Sequence, residues 1–264
     1  MVAFVETRQG SRVRVVTQGA GPAVLAIHGL GGGSYFFEGT AARLASTCRM
    51  IAVDLPGTGG STTTSPFSIA SWIDDLADVL RHIGAPAVVV GHSLGTILSL
   101  ELWARCPELV RAMAFIGGLP RPRPPVRERL AARARMVEER GGLAGLGVDV
   151  AIGNLSAATI ARSPETTAFF ARLFDMQPTA SYLACLELLL GADATRVVPH
   201  VTAPCVAISG ADDRYAPPAD VAAFVAALPA PTRHIVIPDV AHLPFFEAPE
   251  RFADELGRWL VEVT

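Results

Sequence analysis

Ser93 stands in Gly91-His92-Ser93-Leu94-Gly95, preceded by the β-branched run Ala87-Val88-Val89-Val90 and followed by a helix-like stretch from Thr96 to Glu101. A strand, a sharp turn and a helix in that order present a serine hydroxyl as a nucleophile. Glycines two before and two after the serine remove the Cβ atoms that would collide where the chain doubles back, and the serine itself takes a strained backbone. A glycine-rich turn with a capping serine would give the same five residues, so the rest of the chain must decide. A nucleophilic serine needs a base, and the base needs a group to orient it. Two loops offer them: Gly210-Ala-Asp-Asp-Arg-Tyr-Ala-Pro217, with Asp212 or Asp213, and Pro238-Asp-Val-Ala-His242. The chain order serine, aspartate, histidine is the one associated with this turn. His28, His82, His92, His200 and His234 are assigned structural or solvated roles, with His92 expected beneath the turn.

Elements must place these loops together. Residues 2–8 and 11–18 alternate around Gln9-Gly10 as a β-hairpin, and 23–27, 50–53, 87–90, 112–116, 204–210 and 234–237 are continuous apolar strands. Helical spacing fills 36–46, the run from Ser68 to Ile83, 218–228 and 248–262. Strands alternating with helices predict an α/β fold whose mostly parallel sheet is covered on both faces. The alternation stops at Gly117-Gly-Leu-Pro-Arg-Pro-Arg-Pro-Pro125 and resumes near residue 200. Between them lie helical segments 126–140, 143–153, 156–174 and 179–190. The expectation is a core of 1–118 and 201–264 carrying a helical lid, 119–200. Its apolar underside would draw on Leu130, Met136, Phe169, Phe170, Phe174 and Met176, facing Phe36, Phe37 and Leu243 of the core; Phe36, Phe37, Met136 and Leu243 are the substrate-binding candidates. Residues 121–140 carry seven arginines against Glu128, Glu138 and Glu139. They form either a solvated face or a surface that steers an anionic substrate or acyl carrier.

Composition narrows the classes of function. All 22 basic residues are arginine, which removes a Walker A lysine and any lysine nucleophile. No His-Glu-x-x-His or clustered ligand set is present, so no metal and no cofactor is expected. A net charge of −3 predicts no general attraction to nucleic acid or an anionic membrane. No apolar run reaches the length of a membrane span, no signal peptide is visible, and four scattered cysteines suit free thiols in the cytoplasm. Gly29-x-Gly31 followed by Asp54 imitates a dinucleotide-binding unit but fails at its third glycine, where Ser34 stands.

Taken with His28-Gly29, Asp54-Leu-Pro-Gly-Thr-Gly-Gly-Ser61, Gly210-x-x-Asp213-x-x-x-Pro217 and His242 followed by Glu247-x-Pro249-Glu250, the chain resembles the α/β-hydrolase family over nearly its whole length. The resemblance implies the α/β-hydrolase fold and selects Asp213 over Asp212 as the acid. It also implies an oxyanion hole from the backbone N–H groups of Leu30 and Leu94. Thr58 departs from the histidine many members have there; it lies in a turn and does not threaten the chemistry. Within the family the chain is similar to 3-oxoadipate enol-lactonases, carrier-linked methyl ester hydrolases and C–C bond hydrolases. The implied activity is cleavage of a carboxylic ester or lactone; a C–C hydrolase and a binding-only ligand sensor are the alternatives. A serine at 93 excludes the members that use a nucleophilic aspartate.

Overall fold

Short apolar runs rich in Val, Ile and Ala pair edge to edge in the computed structural model, which describes residues 1–65, 67–84 and 86–264. The hairpin forms as β1 (Val2–Glu6) and β2 (Arg12–Gln18), antiparallel, with Val5 opposite Val13. β3 (Ala23–Ile27), β4 (Arg49–Val53), β5 (Ala87–His92), β6 (Val110–Ile116), β7 (Cys205–Gly210) and β8 (Arg233–Ile237) then run parallel. The single sheet has the order β1-β2-β4-β3-β5-β6-β7-β8. From β3 the chain lays β4 on one side and then β5 on the other. The loops leaving β3 and β5 therefore diverge, opening a crevice at their C-terminal ends, where α/β sheets bind ligands.

Helices α1 (Glu38–Arg43), α2 (Ile69–Ile83) and α3 (Leu94–Arg105) join the strands up to β6. The connection from β6 to β7 holds α4 (Pro124–Arg140), α5 (Gly147–Asn154), α6 (Ala157–Arg162), α7 (Pro164–Asp175) and α8 (Thr179–Gly191). α9 (Pro218–Ala226), the short α10 (Pro244–Glu247) and α11 (Pro249–Val263) complete the chain. Successive strand side chains point to opposite faces. On β3, Leu25 and Ile27 enter one core with α2 and α3, while Val24 and Ala26 enter the other with α11. Both faces are dry, and for that reason the central strands carry no polar alternation.

The Ser68 hydroxyl accepts the Ser71 amide at 3.0 Å to cap α2, and Gly84 ends it at φ 82°. The segment 156–174 is two helices rather than one. Pro164 disfavours helical backbone at Ser163 (φ −138°) and then opens α7 as its first residue. Residues 143–146 form a turn, so α5 begins later than its apolar spacing suggests. α10 is too short for periodicity to reveal. No helix among the described residues is long and apolar enough to cross a membrane.

Candidate active site

Ser93 adopts φ 52° and ψ −112°, a conformation costing an L-residue roughly 1–3 kcal/mol. Its amide donates to the Ile116 carbonyl at 2.9 Å, and its carbonyl accepts the Thr96 amide at 2.9 Å. A Cβ on Gly91 would lie 2.2 Å from the Gly95 oxygen, and one on Gly95 would lie 2.3 Å from the Ile27 oxygen. Close approach of backbones therefore requires both glycines. Leu94 is the first residue of α3, where an amide has no acceptor within its own helix.

The loops after β7 and β8 bring His242 and Asp213, the candidate base and acid, together. His242 Nδ1 lies 2.9 Å from Asp213 Oδ2, and both side chains are buried. The other Asp213 oxygen accepts the amides of Tyr215 at 2.7 Å and Ala216 at 3.0 Å. Asp212, one residue away, is exposed and meets Val240 only through its amide. Glu247 holds the histidine loop from both sides. Its Oε1 accepts the amides of Ala241 (2.9 Å) and Leu243 (3.2 Å), and its Oε2 accepts that of Ser156 at the start of α6 (2.7 Å). Sequence reasoning took Glu247 only as part of a motif. Its signal was a carboxylate five residues after the histidine, on the same loop.

On the loop after β3, His28 Nε2 accepts the Leu55 amide at 3.0 Å, which makes Nδ1 the proton carrier and its 2.8 Å contact a donation to the Gly29 carbonyl. Burial holds this imidazole below its ordinary pKa of 6.5, against the opposing pull of that carbonyl. Asp54 accepts the amides of Ser34 (2.7 Å) and Gly60 (2.9 Å) and pairs with Arg14 at 3.1 Å. Burial raises that carboxyl, but the amide bonds from Gly60 and Ser34 carry it below the usual range. Asp54 thus braces two glycine-rich loops, the role that replaces ribose binding in the dinucleotide alternative. Beneath the turn, His92 Nε2 donates to the His242 carbonyl at 3.0 Å, and burial followed by the nearness of His242 holds its pKa well below 6.5.

Ser93, His242, Leu30 and Leu94 line one cavity of about 740 Å³ including its mouth. Phe36 and Leu243 face it from the core, and Leu130, Phe170 and Phe174 from the helical insertion. Two of the substrate-binding candidates do not. Phe37 is fully buried against Phe245, because adjacent residues of the 3₁₀ turn Ser34–Phe37 point about 120° apart and Phe36 takes the cavity side. Met136 is 44% exposed, since the inward stripe of α4 runs through Val126, Leu130 and Val137. Phe169 and Met176 likewise face outward. Among the described residues no group of three or more His, Cys, Asp or Glu is placed to hold a metal ion.

The α/β hydrolase family model matches residues 24–255, and the chain belongs to that family. It is 30% identical over 249 residues to a pimeloyl-[acyl-carrier protein] methyl ester esterase of Neisseria meningitidis serogroup B, covering 87% of this chain and 89% of that one. Among solved structures, a thermophilic esterase from Thermogutta terrifontis superposes with a TM-score of 0.89 at 24% identity, covering 100% of this chain and 99% of the other. An enol-lactonase from Burkholderia xenovorans superposes with a TM-score of 0.88 at 22% identity, covering 98% and 100%. The two superpositions establish a shared fold.

Proposed function

We propose that the protein is a serine hydrolase that cleaves a carboxylic ester or lactone through an acyl-enzyme on Ser93. That it is an ester-bond hydrolase follows from its family and from relatives named for that activity. The observation that carries the residue assignment is the buried His242–Asp213 pair opening onto the same cavity as the strained Ser93.

In this mechanism Asp213 accepts a hydrogen bond from the Nδ1–H of His242, which leaves the unprotonated Nε2 as the base. The Ser93 oxygen attacks the acyl carbon while its proton passes to Nε2, and the carbonyl electrons move onto oxygen. The amides of Leu30 and Leu94 stabilise that oxyanion, each donor contributing ~3 kcal/mol. Collapse expels the alkoxide, which takes the proton from Nε2. Water then attacks the acyl-enzyme by the same route and releases the acid. The 119–200 insertion acts as a lid, with Phe36, Leu243 and Leu130 against a small or medium acyl group. The substrate is a small molecule or a carrier-linked acyl group.

A fluorophosphonate probe tests the assignment. Stoichiometric labelling of Ser93, with turnover in a panel of lactones, methyl esters and vinylogous diketones, is the expected result. Absence of labelling would leave a ligand-binding protein, and turnover confined to the diketones would make it a C–C hydrolase.

A further inference from the structure

Six of the seven arginines between 121 and 140 are placed as surface residues are. Arg121 pairs with Asp193 at 3.3 Å and Arg123 with Asp220 at 2.7 Å; Arg129 lies over the Tyr215 ring at 4.9 Å. Arg127, Arg135 and Arg140 are exposed. Arg121 also borders the cavity that holds Ser93 and His242, and Arg123 is part-buried, but each is paired with a carboxylate. Arg133 is part-buried and lines that cavity, and among the described residues no carboxylate stands within ion-pair distance of it. Its partners are two neutral phenols, Tyr215 Oη at 3.0 Å and Tyr182 Oη at 3.4 Å.

A cationic side chain withdrawn from water without a counter-charge is costly unless an anion arrives to complete it. The two phenols do not complete it. Each accepts a guanidinium N–H, which leaves its own O–H proton to donate elsewhere. Burial raises the Tyr182 pKa, so that hydroxyl stays protonated at neutral pH. The cluster therefore presents a set of donors, the remaining guanidinium N–H groups and two O–H groups. A planar carboxylate accepts from such a set, and a guanidinium binds it in a fork.

The position is as informative as the charge. The Tyr215 ring packs on the His242 imidazole with centroids 4.7 Å apart, and its amide donates to Asp213. The phenol thus spans from the catalytic pair to Arg133. Tyr182 closes the other side, over Gly31 and against Phe174. The same cavity is also lined by the aliphatic side chains of Ile97, Val126, Leu130 and Leu189. A chain of methylenes fits such a wall, with the reacting carbonyl at one end and an anion at the other.

We propose that Arg133, framed by Tyr182 and Tyr215, is a specificity-determining carboxylate site, and that the substrates are esters or lactones whose acyl part carries a carboxylate at its far end. The proposal rests on Ser93 acting as the hydrolytic nucleophile, and its test separates the two.

The test uses monomethyl esters of the straight-chain dicarboxylic acids from malonic to suberic, each matched with the uncharged methyl alkanoate of the same length. The ratio of kcat/KM for acid over neutral partner should exceed one for at least one length. It should fall ~10-fold or more in Arg133→Met, because losing one partner of a desolvated charge pair is expensive. Arg133→Lys should recover part of the ratio, Tyr182→Phe should lower it less, and Arg135→Met should leave it alone. Calorimetric binding of the same monoesters to Ser93→Ala protein, with and without Arg133→Met, reads the site without turnover. A ~10-fold weakening there sustains the proposal even if the wild-type protein hydrolyses none of the series, in which case the hydrolase assignment alone fails. A ratio at or below one at every length, or equal losses for acid and neutral ligands in Arg133→Met, overturns the carboxylate site.

Discussion

The turn at Ser93 and the helix α4 face each other across the cavity and are held by different forces. The turn is specified by backbone: two glycines with no room for a Cβ, a serine at φ 52°, and amide bonds to Ile116 and Thr96. α4 is seated by three buried side chains, Val126, Leu130 and Val137, among seventeen residues. A backbone constraint is written in the few residues that obey it. A helix's rotation about its axis depends on what it packs against. For this reason Ser93 declares itself in a pentapeptide, while Arg133 and Met136, three residues apart, differ in role in a way no local pattern announces.

The sharpest way to break this contrast is to remove the proposed nucleophile or base. Ser93→Ala and His242→Ala should each lower kcat by several decades with the folded state intact, judged by circular dichroism. Retained activity in folded Ser93→Ala would end nucleophilic catalysis by this residue. Asp213→Asn should cost ~10⁴-fold in kcat by favouring the wrong imidazole tautomer, whereas Asp212→Asn, at an exposed site, should cost less than ~3-fold. The opposite order of severity would shift the acid by one residue.

Glu247→Gln probes the bond between the two regions, because that carboxylate joins the His242 loop to α6. An amide NH₂ cannot accept from Ser156, so one buried donor is stranded at a cost of ~1–3 kcal/mol. The expected result is a Tm lowered by ~2–4 °C per kcal/mol and a kcat that falls more than KM rises. An unchanged Tm and kcat would show that the loop holds itself.

His92 gives a pH signature of the turn. Its folded pKa lies below the unfolded value of about 6.5, so the unfolded chain binds the extra proton. The stability from keeping it neutral is fully present above pH 6.5 and is lost as pH falls toward the folded pKa. Urea midpoints measured between pH 8 and pH 5 should therefore fall, and His92→Gln should flatten part of that slope. A slope identical in the variant would assign acid sensitivity elsewhere, with His28 the next candidate. The smallest effects belong to the outer face of the insertion: Met136→Ala and Phe169→Ala should change KM less than ~2-fold, while Leu130→Ala, on the cavity wall, should change it more. Equal effects would mean that the insertion rotates in solution to present its other face.

What the sequence determined is what short segments determine by themselves. The eight strands, the Ser68 cap and the glycine-held turn follow from the side-chain period and from steric limits acting over a few residues. Asp213 sits between these extremes: the residues alone left it level with Asp212, and only the family pattern and then the fold put it against His242. The tertiary structure alone decided that Glu247 clamps the histidine loop, that Phe37 is core and Phe36 cavity wall, and that Arg133 stands among aromatic hydroxyls with no carboxylate partner among the described residues. Apart from the short bonds of Glu247 to its own loop, these depend on contacts between residues far apart in the chain, from Arg133 to Tyr182 and Tyr215, from Ser156 to Glu247 and from Phe37 to Phe245, set by how helices rotate and pack across the sheet, and no local rule of spacing carries that information.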